Sequence, residues 1–156
     1  MGVYTIENNV PIDLGALGMP EPSDKHWRFA NFFTREISKL VEPQYEAGTE
    51  AVTSKNKHYR VVDFAVKKFY KGGSDILFFI EICHKKTYND AIKRIKDILK
   101  NNTAIKEIFI FQYDDNRFEK VYDKNTIKIE SYSNFLNCDL KELTKDFYNY
   151  VYETSI

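Results

Sequence analysis

The chain has 156 residues, of which 43% are hydrophobic and 15% aromatic, enough for one domain with a buried core and too apolar for an intrinsically disordered segment. Its net charge of zero conceals a segregation: residues 55–100 carry 12 Lys/Arg against 5 Asp/Glu, and the remainder carries 11 against 18, so a basic middle able to attract phosphate is expected. No apolar run approaches the roughly 18 residues of a membrane span, the first ten residues lack the pattern of a signal peptide, and Cys83, Cys138 and the three histidines fit neither a disulfide framework nor zinc spacing. The expectation is a cytoplasmic protein without a membrane partner.

Residues 1–22 read as an irregular arm, because Pro11, Gly15, Gly18, Pro20 and Pro22 break any period. Val10, Ile12, Leu14, Leu17 and Met19 could pack the arm onto the body, which is expected to be a single domain over residues 23–156. Ser23 or Asp24 caps a helix to about Val41, with an apolar stripe of Trp27, Ala30, Phe33, Ile37, Leu40 and Val41. Pro43 stops it. Gln44–Ser54 alternates weakly as a strand. Tyr59–Phe69 and Ile76–Cys83 are apolar on both faces and are joined by Lys71-Gly72-Gly73-Ser74, the chemistry of a hairpin between central strands.

Thr87, with Asp90 three residues on, signals a second helix whose stripe is Tyr88, Ala91, Ile92, Ile95, Ile98 and Leu99. Ile105–Tyr113 returns as a strand, so strand, helix and strand form a crossover that makes Ile76–Cys83 and Ile105–Tyr113 parallel. Turns at Asp114-Asp115-Asn116 and Asp123-Lys124-Asn125 separate two further strands, and Asp139 caps a last helix bearing Leu140, Leu143, Phe147, Tyr150 and Val151. The predicted order is αβββαβββα, an α/β domain with a mixed central sheet flanked by helices.

Two acids stand inside the apolar strands: Asp63 in Val61-Val62-Asp63-Phe64 and Glu81 in Phe79-Ile80-Glu81-Ile82. A buried carboxylate costs several kcal/mol unless it is paired, protonated or bound to a cation. Two on neighbouring strands predict a site for Mg²⁺ or Mn²⁺, which take oxygen ligands. Bound there, such a cation can activate water and offset charge on a phosphate oxygen. Glu36 and Glu50 are additional acids within reach of the same elements. Tyr148, Tyr150 and Tyr152 cannot all face one core and suggest an interface.

Val62-Asp63, Ile80-Glu81-Ile82-Cys83 and the helix that follows them resemble the restriction-endonuclease-like superfamily with its PD-(D/E)xK motif. More closely, they are similar to the Uma-type endonuclease family. His26-Trp27-Arg28-Phe29-Ala30 matches that family's early helix, Asp90 and Lys93 its crossover helix, Glu107-Ile108-Phe109-Ile110 its next strand, and Leu140-Lys141-Glu142-Leu143 its last helix. The resemblance spans residues 23–147 and leaves the arm unexplained.

It implies a divalent-metal-dependent DNA endonuclease that hydrolyses phosphodiesters, with Asp63 and Glu81 at the metal and Glu50 in the strand order of a further ligand. It also implies a homodimer, since one such site cuts one strand. Val62 replaces the proline of the motif, and Cys83 stands where the superfamily has its lysine, two residues after the glutamate. Lys93, reaching over from the crossover helix, is the first substitute, ahead of Lys85 and Lys86 beyond the strand end. The alternative is a catalytically inactive nuclease fold serving as a nucleic-acid- or protein-binding module.

Overall fold

The computed structural model describes residues 4–7, 10–13, 24–52 and 61–155. Within the expected arm, β1 (Tyr4–Glu7) and β2 (Val10–Asp13) pair antiparallel as a small ribbon, a regular element where prolines and glycines predict none. Pro11 opposes Ile6 in this ribbon, a two-stranded edge where a missing N–H is tolerated. The glycines and prolines of 14–22, the Ser23 cap, Thr53 and the expected strand start at Tyr59 lie outside the described residues.

The body begins with α1 (Asp24–Val41). Its buried residues are Phe29, Ala30, Phe32, Phe33, Ile37 and Val41, whereas Trp27 and Leu40 are 66% and 50% exposed. At 3.6 residues per turn Trp27 stands about 120° round the helix from Phe33, so the core stripe turns on Phe29–Phe33–Ile37 and leaves the tryptophan in water. Pro43 follows the last turn, as the sequence requires.

Six strands form the central sheet in the order β3 (Glu46–Val52), β4 (Val61–Tyr70), β5 (Gly73–Cys83), β6 (Glu107–Gln112), β7 (Arg117–Asp123) and β8 (Thr126–Ile129). Every neighbouring pair is antiparallel except β5 and β6, which run parallel with Phe78 opposite Glu107 and Cys83 opposite Gln112. The parallel pair is made by the crossover through α2 (Tyr88–Asn101). The hairpin between β4 and β5 turns at Gly72, whose φ of 98° is open to glycine without strain. Residues 76–83 of β5 are buried without interruption, as expected of a strand covered on both faces.

The two faces have different cores. On one, α1 and α3 (Leu140–Glu153) cover Phe64, Phe78, Phe109, Phe111 and Phe118, with ring pairs such as Phe29–Phe111 at 4.8 Å and Phe32–Phe147 at 4.4 Å. On the other, α2 lays Ala91, Ile95 and Ile98 over Ala65, Phe79, Cys83, Ile108 and Ile110. Edge-to-face and offset aromatic pairs add about 0.5–1.5 kcal/mol each beyond burial, a contribution concentrated on the α1 face.

The caps differ from expectation at one helix. Asp139 caps α3, accepting from the backbone N–H of Lys141 at 2.9 Å. Thr87 makes no side-chain cap on α2. It closes the preceding turn Lys85–Thr87 instead, accepting from the His84 N–H at 3.2 Å while His84 Nδ1 accepts from the Lys86 N–H.

Below α3, β9 (Tyr132–Ser133) and β10 (Cys138–Asp139) form a second small ribbon. Its loop is tied to the sheet by Glu107, which is 7% exposed. That carboxylate accepts from Ser133 Oγ at 2.6 Å and from the backbone N–H groups of Asn134 and Phe135, and it pairs with Lys120 Nζ at 3.0 Å. Removing it strands a buried ammonium and two amides. Glu107→Ala should therefore lower unfolding stability by about 3–5 kcal/mol, read as a fall in the urea midpoint, and a loss within 1 kcal/mol would refute this role.

Candidate functional site

At one end of the β4–β5 pair the ladder gives way to side chains. The register runs regularly through Ala65↔Phe79 and Phe64↔Ile80. Beyond it, the Ile82 N–H donates to Asp63 Oδ2 at 2.7 Å, and the Asp63 N–H donates to Glu81 Oε1 at 3.3 Å. Each acid thus satisfies an amide that a strand carbonyl would otherwise have met. The in–out alternation of β4 also breaks here, since Val62 and Ala65 join the α2-side core while Phe64 and Val66 join the other.

Asp63 and Glu81 are therefore brought together, as the strand pattern predicts. Glu81 is wholly buried, and Asp63 keeps 21% of its side chain exposed. From α1, His26 places Nε2 3.0 Å from Asp63 Oδ1. From α2, Arg94 donates to Glu81 Oε2 through Nε at 3.2 Å and Nη2 at 3.0 Å. Burial, and then the nearby Asp63 carboxylate, push the Glu81 carboxyl up to about 8, against the pull of Arg94.

The helix cation at the acid is thus Arg94, and Lys93 is exposed on the same helix. At 100° per residue Arg94 lies about 60° from the line of buried Ala91, while Lys93 lies about 160° away. That angle was a signal within the sequence. Glu50 is exposed on β3, in the position between the pairs Thr49↔Phe64 and Ala51↔Val62 that faces Asp63. Its φ of 52° is a left-handed conformation, which costs an L-residue roughly 1–2 kcal/mol. Glu36 is paired with Lys39 at 3.1 Å, Lys85 with Asp115 at 3.2 Å, and His84 is spent on its turn.

Cys83 points to the same face as Glu81 and is 2% exposed. Burial and the flanking carboxylates push its thiol up to about 12, so it is a neutral filler and not a charged group. Across the sheet, Ile110 stands between Glu81 on β5 and Glu119 on β7. Glu119 is 6% exposed, accepts from Tyr88 Oη at 2.7 Å and lies 3.3 Å from Arg117 Nε. This second acid–arginine pair, beside the first residue of α2, and the His26 contact at Asp63 are features that strand-by-strand reading missed. The pair's signal was the acid in Phe118-Glu119-Lys120-Val121.

No group of three or more His, Cys, Asp or Glu donors suited to a metal ion occurs among the described residues. Two adjacent carboxylates nevertheless fit the requirement of Mg²⁺, which commonly takes one or two carboxylates and keeps several waters. Burial first and the neighbouring Asp63 second raise the Glu81 carboxyl, and a nearby cation favours the charged form of such an acid.

No family model matches this chain, nor does any curated protein. Among solved structures, it is similar to a candidate nuclease belonging to DUF820 from Anabaena variabilis ATCC 29413. The match covers 92% of this chain and 90% of that one, with a TM-score of 0.63 at 16% identity. The shared fold is a nuclease-like one, the mixed sheet flanked by helices that the sequence predicts.

The charge state of Glu81 makes stability depend on pH. Its folded value lies above that of the unfolded chain, so its contribution is full below about pH 4.5 and is lost as pH rises through about 8. Glu81→Gln should flatten the fall in urea midpoint between those limits. Arg94→Met should move the Glu81 carboxyl still higher, measured by carbon-13 NMR, and a downward shift would contradict the pairing.

Proposed function

We propose that this chain is a divalent-metal-dependent nuclease that hydrolyses DNA phosphodiesters at Asp63 and Glu81. The observation that carries the reading is the acid pair itself, two carboxylates interlocked on adjacent strands of a nuclease-like sheet with a guanidinium against the buried one. A buried carboxyl raised by its surroundings and by a second acid, with a guanidinium against it, is the perturbed chemistry that clusters at functional sites.

Asp63 and Glu81 would hold Mg²⁺ or Mn²⁺. When bound, the ion supplies Lewis acidity toward water and toward a phosphate oxygen. The chain's own groups do the rest. His26 fixes the rotamer of Asp63 through Oδ1, and the Ile82 N–H holds Oδ2. Arg94 takes the part that the missing strand lysine would play. Its bonds to Glu81 use Nε and Nη2, which leaves Nη1 to meet a phosphate oxygen as charge accumulates there. An arginine suits this role because its planar fork can serve a carboxylate and a phosphate together.

A second reading, a nuclease fold that binds without cutting, is favoured by two observations. Cys83 is neutral where the motif expects a cation, and all four oxygens of the acid pair already have protein partners. Cleavage assays on plasmid and single-stranded DNA with Mg²⁺ or Mn²⁺ separate the two.

The informative variant is Asp63→Asn. Asp63→Ala would leave the Ile82 N–H without its acceptor, at a cost of about 1–3 kcal/mol. Asp63→Asn keeps an acceptor oxygen and should abolish cleavage with the melting temperature little changed. Arg94→Lys should retain part of the rate and Arg94→Met should lose roughly 100-fold or more. A wild-type protein that binds Mn²⁺ by calorimetry and cuts neither substrate would establish the binding module instead.

A further inference from the structure

An open cleft of about 970 Å³ lies between the N-terminal turns of α1, the turn after β5 and the end of α3. Lys25, Arg28, Lys85 and Lys86 contribute four cations to it, against the carboxylates of Asp24 and Asp114. Two of these cations are held by neutral groups and keep their charge for a ligand. Arg28 donates to Thr154 Oγ1 at 2.8 Å and to the Val151 carbonyl, and Lys25 sits over the Tyr152 ring at 5.1 Å. Lys85 is shared with Asp115 at 3.2 Å.

Trp27 borders the same cleft with two thirds of its surface in water. A large aromatic ring exposed beside unneutralised cations matches a nucleic-acid strand, with a base on the ring and phosphates on the cations. An apolar partner would not need the lysines, and a free anion would not need the ring.

The cleft also adjoins the acid pair from both elements that frame it. His26, which meets Asp63, lies between Lys25 and Trp27 in the chain. His84 lines the cleft three residues after Glu81, a separation of about 10 Å along a strand that a few nucleotides cover.

We infer that this cleft holds a single-stranded or locally unpaired DNA segment, with Trp27 stacking on an exposed base and Lys25, Arg28 and Lys86 on the flanking phosphates. The inference rests on the nuclease reading and narrows its substrate. An intact duplex keeps its bases stacked on each other and offers the ring no face, so unpaired strands are preferred over blunt duplex.

Trp27 is the chain's one tryptophan, and its emission therefore reports on this cleft alone. Titration of the wild-type protein with an oligothymidylate in EDTA, where no cleavage occurs, should quench that emission saturably. Added salt should reverse the quenching as counterions compete for the lysines. A blunt duplex of mixed sequence should quench far less.

By anisotropy of a fluorescein-labelled strand, Trp27→Ala should weaken binding roughly 5- to 100-fold, the range for loss of one base–aromatic stack. Trp27→Phe should restore part of it, and Lys86→Glu should weaken binding while reducing its salt dependence. Mn²⁺ affinity of Trp27→Ala should equal that of the wild type, since the ring does not touch the acids. Strand binding without quenching, equal quenching by duplex, or no binding at low salt would each overturn the inference. Quenching in a wild-type protein that never cuts would sustain the cleft and remove the nuclease reading.

Discussion

Two carboxylates do the work of backbone carbonyls where β4 and β5 part, and the rest of the site follows from that substitution. A strand amide inside a sheet must find an acceptor. Here the Ile82 and Asp63 amides find side-chain oxygens of Asp63 and Glu81, so the acids cannot rotate away without unpairing the main chain. Rigidity that a loop could not supply comes from the sheet itself. β4 loses its alternation at the same point.

The division of the core into an aromatic and an aliphatic face assigns different duties to the helices. α1 and α3 clamp the phenylalanine side, and α3 is tied down further by the Tyr148 and Tyr152 hydroxyls, which both donate to the Tyr113 carbonyl at 3.0 and 2.7 Å. Two of the three tyrosines that suggest an interface are therefore engaged within the chain. Tyr150 stays 55% exposed, beneath the Arg28 guanidinium, and Tyr152 keeps 37% of its surface in water beside Lys25. α2 covers the smaller aliphatic side, and it is also the helix that brings the arginine to the buried acid.

The element order and the parallel β5–β6 pair were legible because apolar runs, turn residues and the crossover length are local signals that agree with one another. The acids were legible for the opposite reason: Asp63 and Glu81 contradict the strands around them. What the sequence concealed depends on rotation and reach. Lys93 and Arg94 are adjacent cations, and the angle to Ala91 decides which of them reaches the acid. Trp27 and Leu40 read as core because an apolar letter on a helix carries no statement of which face has a partner. Thr87 carries a good cap signature, yet His84 offers it a closer amide. The ribbon β1–β2 escaped because a hairpin at a two-stranded edge tolerates the proline that argued against it.

Drawing the guanidinium at Glu81 from a helix ties the charge at a buried acid to a docking contact. The counter-charge of Glu81 is seated only as firmly as α2 is docked, on Ala91, Ile95 and Ile98. Any transient lifting of that helix wets Glu81 and lets it ionise. Because the closed environment favours the protonated acid, each such opening releases a proton, and alkaline conditions favour it. Amide hydrogens along this one helix would exchange more readily with rising pH than chemistry alone dictates, while those beneath the phenylalanine layer would not.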